Sequence, residues 1–163
     1  MSVIEPGTPV PSFKLATEDG GSVTEKDLKG ERTVLVFYPF AFSPVCTDQL
    51  QLYEAALDQL VAQGVTKLCG VSCDSSWSQK AFREQLGVSI EQLSDFEPKG
   101  AACKAFGVLH EGGFPERALV AIDATNTPPT VRWSYQAPMP GELPSVELLR
   151  EGVSIAFGGA IPA

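Results

Sequence analysis

Sulfur offers this sequence most of its chemistry, and of its four cysteines Cys46 is the best placed to use it. It lies in "PFAFSPVCTDQL" (39–50), directly after the apolar run "TVLVFY" (33–38). Ser43 has an N-capping side chain and Pro44 suits the first helical position, which makes Cys46 the third residue of a helix. There the sulfur lies near backbone N–H groups that have no intrahelical partner, at the positive end of the helix dipole. Such surroundings favour thiolate over thiol, and the thiolate is the nucleophile. A helix N-terminus at the end of a central parallel strand is also where α/β folds form ligand clefts. Spacing alone leaves a second reading open, in which Cys46 is a small apolar residue that seats the helix.

The other cysteines have weaker claims. Cys69 and Cys73 share one strand-like segment, so they face the same side but sit about 13 Å apart at about 3.3 Å per residue. A disulfide needs Cα atoms within about 7 Å, so these two should not bond to each other. Cys69 reads as core. Cys73, at the end of that strand, and Cys103, on a short later helix, are the candidates to resolve an oxidised Cys46, each after local unfolding. No cysteine stands three residues from Cys46, which argues against a thioredoxin-like disulfide reductase. His110 is the sole histidine and reads as a loop residue, so neither a Cys/His metal cluster nor a Cys–His dyad is suggested. No metal or other cofactor is expected.

The elements that must position Cys46 follow from the apolar pattern. "FKLATEDGGSV" reads as a hairpin around Gly20 and Gly21, and "TEKDLKGE" as one helical turn or a loop. "TVLVFY" is apolar on both alternating faces, the mark of a central strand covered on both sides. One helix runs from Ser43 to a stop at Gly64, with Leu50, Tyr53, Leu57, Leu60 and Val61 as its inner stripe. "VTKLCGVSCD" (65–74) is then a strand parallel to the first, and "SSWSQKAFREQLGV" (75–88) a helix with Trp77, Ala81 and Phe82 plus Gln85 or Leu86 around its turns. "QLSDF" is short and extended, and "PKGAACKAFGV" is a short helix ending at Gly107. "RALVAID" and "TVRWSY" form a hairpin through "ATNTPP", and "PSVELLREGVSIAF" is a last helix with Pro144 at or near its first turn. The order predicts one domain over 1–163, an α/β thioredoxin-like fold with a central mixed sheet, flanking helices and an N-terminal β-hairpin.

Composition agrees with a single globular domain. The 163 residues are 44% hydrophobic and 20% charged, and no apolar run approaches a membrane span. The start "MSVIEPGTPVPSF" lacks the basic and apolar regions of a secretory signal, so a cytoplasmic protein with free thiols is expected. A formal charge of −8 argues against nucleic-acid or anionic-membrane partners.

The segment Pro39–Cys46 resembles the peroxiredoxin signature: a proline, a threonine or serine four on, then the peroxidatic cysteine three further. "GTPVPSFKL", "LVFYPFAF", "GVSCDS", "LSDFEPKGAACKAFGV" and "ERALVAID" are similar to the segments around it, over nearly the whole chain. The nearest subgroup is the one-cysteine, alkyl hydroperoxide reductase E-like bacterial proteins. The resemblance implies a thiol-dependent peroxidase for hydrogen peroxide or organic hydroperoxides. Cys46 would be the nucleophile, oxidised to sulfenic acid and recycled by an external thiol, whether a low-molecular-weight thiol or a thioredoxin- or glutaredoxin-like protein.

Further roles follow from the same resemblance. Ser43 would place the peroxide, Arg117 would stabilise thiolate and developing charge, and Pro39 would wall a shallow pocket. The backbone N–H groups of Val45 and Cys46 would complete the cradle. Ser43 replaces the commoner threonine and lacks its rotamer-fixing methyl. Gln49 stands where many relatives carry glutamate, so it can hydrogen-bond the arginine without adding charge. Without the family match Arg117 would read as a surface strand arginine, as Arg83 and Arg132 do. The resemblance also implies a homodimer built from loops near the site. A non-enzymatic alternative, a redox sensor or holdase, would use the same cysteine as a switch.

Overall fold

Val34 and Val36 point to one side of the strand Arg32–Phe37 (β3), Leu35 and Phe37 to the other, and all four are buried. A strand packed on both faces must sit inside a sheet that carries structure on each side. The computed structural model, which describes residues 2–126 and 128–158, places it so. β1 (Lys14–Ala16) and β2 (Ser22–Thr24) form the N-terminal hairpin. β4 (Lys67–Ser72), β5 (Glu91–Ser94), β6 (Ala118–Asp123) and β7 (Thr130–Gln136) complete a seven-stranded sheet, in the order β2-β1-β5-β4-β3-β6-β7. The pairs β3–β4 and β4–β5 are parallel and the remaining pairs antiparallel. This is the mixed thioredoxin-like sheet that the order of elements predicts. Of the 124–129 connection between β6 and β7, Thr127 lies outside the described residues.

The sheet separates two cores. Val34, Val36 and Tyr38 pack against Cys46, Leu50 and Tyr53 of α1 (Pro44–Ala55), Leu60 of α2 (Leu57–Ala62), Phe82 of α3 (Ser76–Leu86) and Val153 of α5 (Val146–Phe157). Leu35, Phe37, Cys69 and Val71 face the other way, onto Leu15, Leu28, Phe106 and the short helix α4 (Ala101–Ala105). Leu28 closes the 3-10 turn Glu25–Leu28, the "TEKDLKGE" segment.

Two local expectations need correction. The helix after Ser43 is two helices, because at Ala56 (φ −94°, ψ 1°) the N–H is shared between the Leu52 and Tyr53 carbonyls, tightening the turn. Val61 consequently leaves the inner stripe and is 57% exposed, although Gly64 (φ 104°) does end the second piece. Trp77 is 82% exposed. Gln79 occupies the inner face of α3 instead, its amide donating to Ser72 Oγ (2.9 Å) and the Leu93 carbonyl (2.8 Å). Pro144 stands near the first turn of the last helix, as expected, directly before Ser145, the N-cap that accepts from the Leu148 N–H at 3.1 Å.

Gly152 brings α5 close against the sheet. A Cβ there would stand 2.4 Å from the Trp133 ring of β7. Gly152→Ala should therefore destabilise the fold by about 1–3 kcal/mol through overpacking, beyond the gain of about 1 kcal/mol in helix propensity. A lower urea midpoint at unchanged slope checks it.

Cys69 is core, as its strand predicts, and burial pushes its thiol up to about 12 from an ordinary 9.0. The folded chain keeps that proton at pH values where the unfolded chain has lost it. This stabilisation is complete below pH 9.0 and is lost as pH rises toward about 12, at up to about 1.4 kcal/mol per pH unit. Cys69→Ala should flatten the decline of urea midpoint across that window.

Candidate active site

The loop 39–43 carries the chain from β3 into α1. Tyr38 N–H extends the parallel pairing to the Val71 carbonyl (3.0 Å), and Pro39, buried and without an N–H, ends it. Ala41 N–H is held by Asp74 Oδ2 at 2.8 Å, the same oxygen that accepts from Ser72 Oγ (2.8 Å). Phe42 follows at φ 70°, the only positive φ outside glycine among the described residues. Its ring rests 5.1 Å from that of Phe82.

Ser43 has the extended backbone of an N-cap but does not cap with its side chain. Its hydroxyl donates to the Phe40 carbonyl at 2.9 Å, tying the loop to itself. The first helical bond runs from Thr47 N–H to the Ser43 carbonyl (2.9 Å), so the Val45 and Cys46 N–H groups precede the helical ladder. Cys46 is the third residue of α1, as the sequence predicts.

Cys46 is 0% exposed, so its sulfur lies under a packed surface rather than in the expected shallow pocket. Among the described residues one polar group donates a hydrogen bond to it. Arg117, just before β6 and 2% exposed, donates from Nη2 to Cys46 Sγ at 3.2 Å. The same guanidinium donates from Nη1 to Gln49 Oε1 (2.6 Å) and from Nε to the Pro140 carbonyl (2.6 Å). Gln49 in turn donates to Tyr53 Oη (3.3 Å), and the tyrosine hydroxyl donates to the Pro144 carbonyl (2.8 Å). Burial pushes the Tyr53 phenol up to about 12. Cys46, Gln49 and Tyr53 are spaced to share one face of α1, and together with Arg117 they link that helix to β6 and to the approach to α5.

The electrostatics of this cluster follow from what Arg117 lacks. Among the described residues no carboxylate forms a salt bridge with it. Its acceptors are two neutral oxygens and one sulfur, and only the sulfur can carry a matching negative charge. A buried unpaired cation is costly, so the arrangement rewards negative charge that develops beside the guanidinium. A sulfur with a fixed cation beside it has the arrangement needed to attack an electrophilic oxygen or sulfur.

A family model described as AhpC/TSA matches residues 6–127. The chain belongs to the peroxiredoxin family. Peroxiredoxin Bcp of Escherichia coli (strain K12) is 33% identical over 114 residues, 70% of this chain and 71% of that protein. Alkyl hydroperoxide reductase C of Amphibacillus xylanus is 35% identical over 130 residues, 76% of this chain and 68% of that one. Among solved structures, reduced Prx3 in complex with hydrogen peroxide from Vibrio vulnificus superposes with a TM-score of 0.78. That likeness has 24% identity and covers 92% of this chain and 99% of the other. This peroxiredoxin is a thiol-dependent peroxidase, an oxidoreductase.

Cys73 and Cys103, the expected resolving candidates, stand apart from Cys46. Both belong to the core on the opposite side of the sheet, and neither is placed to reach Cys46 in this conformation. They come together with Asp95 instead, the two sulfurs and a carboxylate oxygen lying within 4.8 Å of one another. No other group of three among the described residues has the types and spacing to hold a metal ion. The hydrogen bond from the Cys103 thiol pulls Cys73 below the ordinary thiol range and pushes Cys103 above it. Burial raises the Asp95 carboxyl.

His110 sits in a loop, stacked on Phe114 with ring centroids 4.3 Å apart. Arg83 pairs with Glu18 at 2.8 Å, and Arg132 is exposed. The Pro140 carbonyl, Asp74 and the Tyr53–Pro144 link escape the sequence reading. Backbone acceptors leave no mark in a sequence, and nothing but a Ser-x-Asp spacing points to Asp74.

Proposed function

We propose that Cys46 is the peroxidatic sulfur and that Arg117, Ser43, Pro39 and the Val45 N–H build the peroxide site around it. The 3.2 Å contact from Arg117 Nη2 to Cys46 Sγ carries this reading. The thiolate attacks one peroxide oxygen, the O–O bond breaks, and an S–O bond forms as sulfenic acid. The departing oxygen takes a proton and leaves as water or an alcohol. Arg117 offsets the negative charge while it passes from sulfur to oxygen. Ser43, whose proton is engaged by the Phe40 carbonyl, keeps its lone pairs to accept the peroxide O–H. Pro39 walls the site and contributes no competing donor.

The substrates are hydrogen peroxide and organic hydroperoxides. Recycling follows the one-cysteine, alkyl hydroperoxide reductase E-like pattern: an external thiol attacks the sulfenic acid, since Cys73 and Cys103 lie across the sheet. A low-molecular-weight thiol or a thioredoxin- or glutaredoxin-like protein meets that need. The chain works as a single cytoplasmic domain in a homodimer. Exposed Phe40 and Phe42 beside the site suit burial at such an interface, and no described helix is long and apolar enough to cross a membrane. The test is to trap oxidised protein with dimedone and map it. Peroxide should yield a sulfenic acid at Cys46, cleared by added thiol with sustained turnover. A Cys46 disulfide within the monomer would overturn the external-thiol step, and oxidation without turnover would favour a sensor.

A further inference from the structure

The peroxidase site leaves unused the three side chains that converge on the far face of the sheet. Cys73 follows the end of β4, Asp95 follows the end of β5, and Cys103 lies in α4. Asp95 is fixed in place, accepting the Ala102 N–H (3.1 Å) and the Cys103 N–H (2.8 Å) on separate oxygens. Cys103 is fully enclosed beside it. Cys73 is 9% exposed and lines a cavity of about 400 Å³ with Pro39, Phe40, Ser78 and Lys99. One sulfur therefore meets solvent, and the second waits behind it within 4.8 Å.

We propose that Cys73 and Cys103 form a second redox pair, independent of Cys46, which hydroperoxide closes into an intramolecular disulfide. Cys73 enters the reaction as thiolate through the cavity. It attacks a peroxide oxygen, giving Cys73 sulfenic acid while the other oxygen departs as water or an alcohol. Cys103 sulfur then attacks Cys73 sulfur, forming the S–S bond and expelling hydroxide. The Cys103 proton joins that hydroxide as water, with the Asp95 carboxylate beside it to carry the proton across. Two thiols are oxidised and one peroxide is reduced. The cavity is large enough for a hydroperoxide, and Lys99 supplies a cation for the departing oxygen. The product ties the end of β4 to α4, two elements that otherwise meet through Asp95. A thiol reductant reopens it.

The experiment uses the full chain carrying Cys46→Ser, reduced, exposed to hydrogen peroxide, alkylated and peptide-mapped without reductant. The result expected is a chain lighter by two hydrogens, with a Cys73–Cys103 cross-link that dithiothreitol removes. Adding Cys103→Ser should abolish the cross-link and let Cys73 advance to sulfinic acid. The same map of the otherwise unaltered protein reads out the pair should Cys46→Ser not fold. The proposal fails if both thiols survive peroxide sufficient to oxidise Cys46 fully in the unaltered protein. It fails equally if Cys73 reaches sulfinic acid with Cys103 present, if the cross-link joins two chains, or if a copurified metal ion proves to hold both sulfurs.

Discussion

Cys46→Ser should abolish the fast phase of peroxide consumption, a loss of about a thousandfold or more as expected when a covalent nucleophile is removed, leaving only the slow reaction of the Cys73–Cys103 pair. The hydroxyl replaces the thiol in nearly the same space, so Arg117 keeps an acceptor in place of the sulfur at 3.2 Å. The fold should survive, with a change in stability of about 1 kcal/mol or less. What disappears is the soft sulfur of the proposed reaction, which a serine hydroxyl cannot replace as a nucleophile toward peroxide oxygen. Stopped-flow oxidation compared with circular dichroism of the same sample separates chemistry from folding. Cys73→Ser and Cys103→Ser should retain the fast phase, since their sulfurs lie across the sheet. A fast phase persisting without Cys46 would assign the chemistry to another sulfur.

Arg117→Lys should be the next most damaging change, although it keeps the charge. The guanidinium fork serves three acceptors at once: Cys46 Sγ, Gln49 Oε1 and the Pro140 carbonyl. A single ammonium cannot reach all three, and a buried acceptor left without its donor costs about 1–3 kcal/mol. A stability loss of about 2–5 kcal/mol follows, within the roughly 5–15 kcal/mol of an ordinary domain, so the variant should fold when cool. Its second-order rate with peroxide should fall about 100- to 1000-fold, the usual consequence of losing a preorganised donor to developing charge. Urea denaturation reads the first effect and stopped flow the second. A variant that is less stable but equally fast would reduce Arg117 to a structural residue.

Much of this arrangement is legible in the sequence because it rests on side-chain type and alternation. β3 declares itself by being apolar on both faces, and Ser43-Pro44 sets the helix start that makes Cys46 its third residue. Arg117 is different: a strand-edge arginine looks like a surface residue, and only the family resemblance points it inward. The break at Ala56 has no glycine or proline to announce it. The separation of the cysteines is partly latent in alternation, since Cys69, Val71 and Cys73 share a parity opposite to that of Leu68. Knowing which face receives α1 requires the strand register, Val34 against Leu68 and Leu35 against Cys69, and that is a long-range fact.

A sulfur with no exposed area has a consequence for how this enzyme meets its electron donor. A protein thiol must bring its own backbone alongside Cys46, and with that residue 0% exposed the closed loop leaves it no berth. Phe42, held in the left-handed region at φ 70°, is the natural latch: once its ring lifts from Phe82, the backbone strain it carries is released. The donor's rate is then governed by how often that loop stands open.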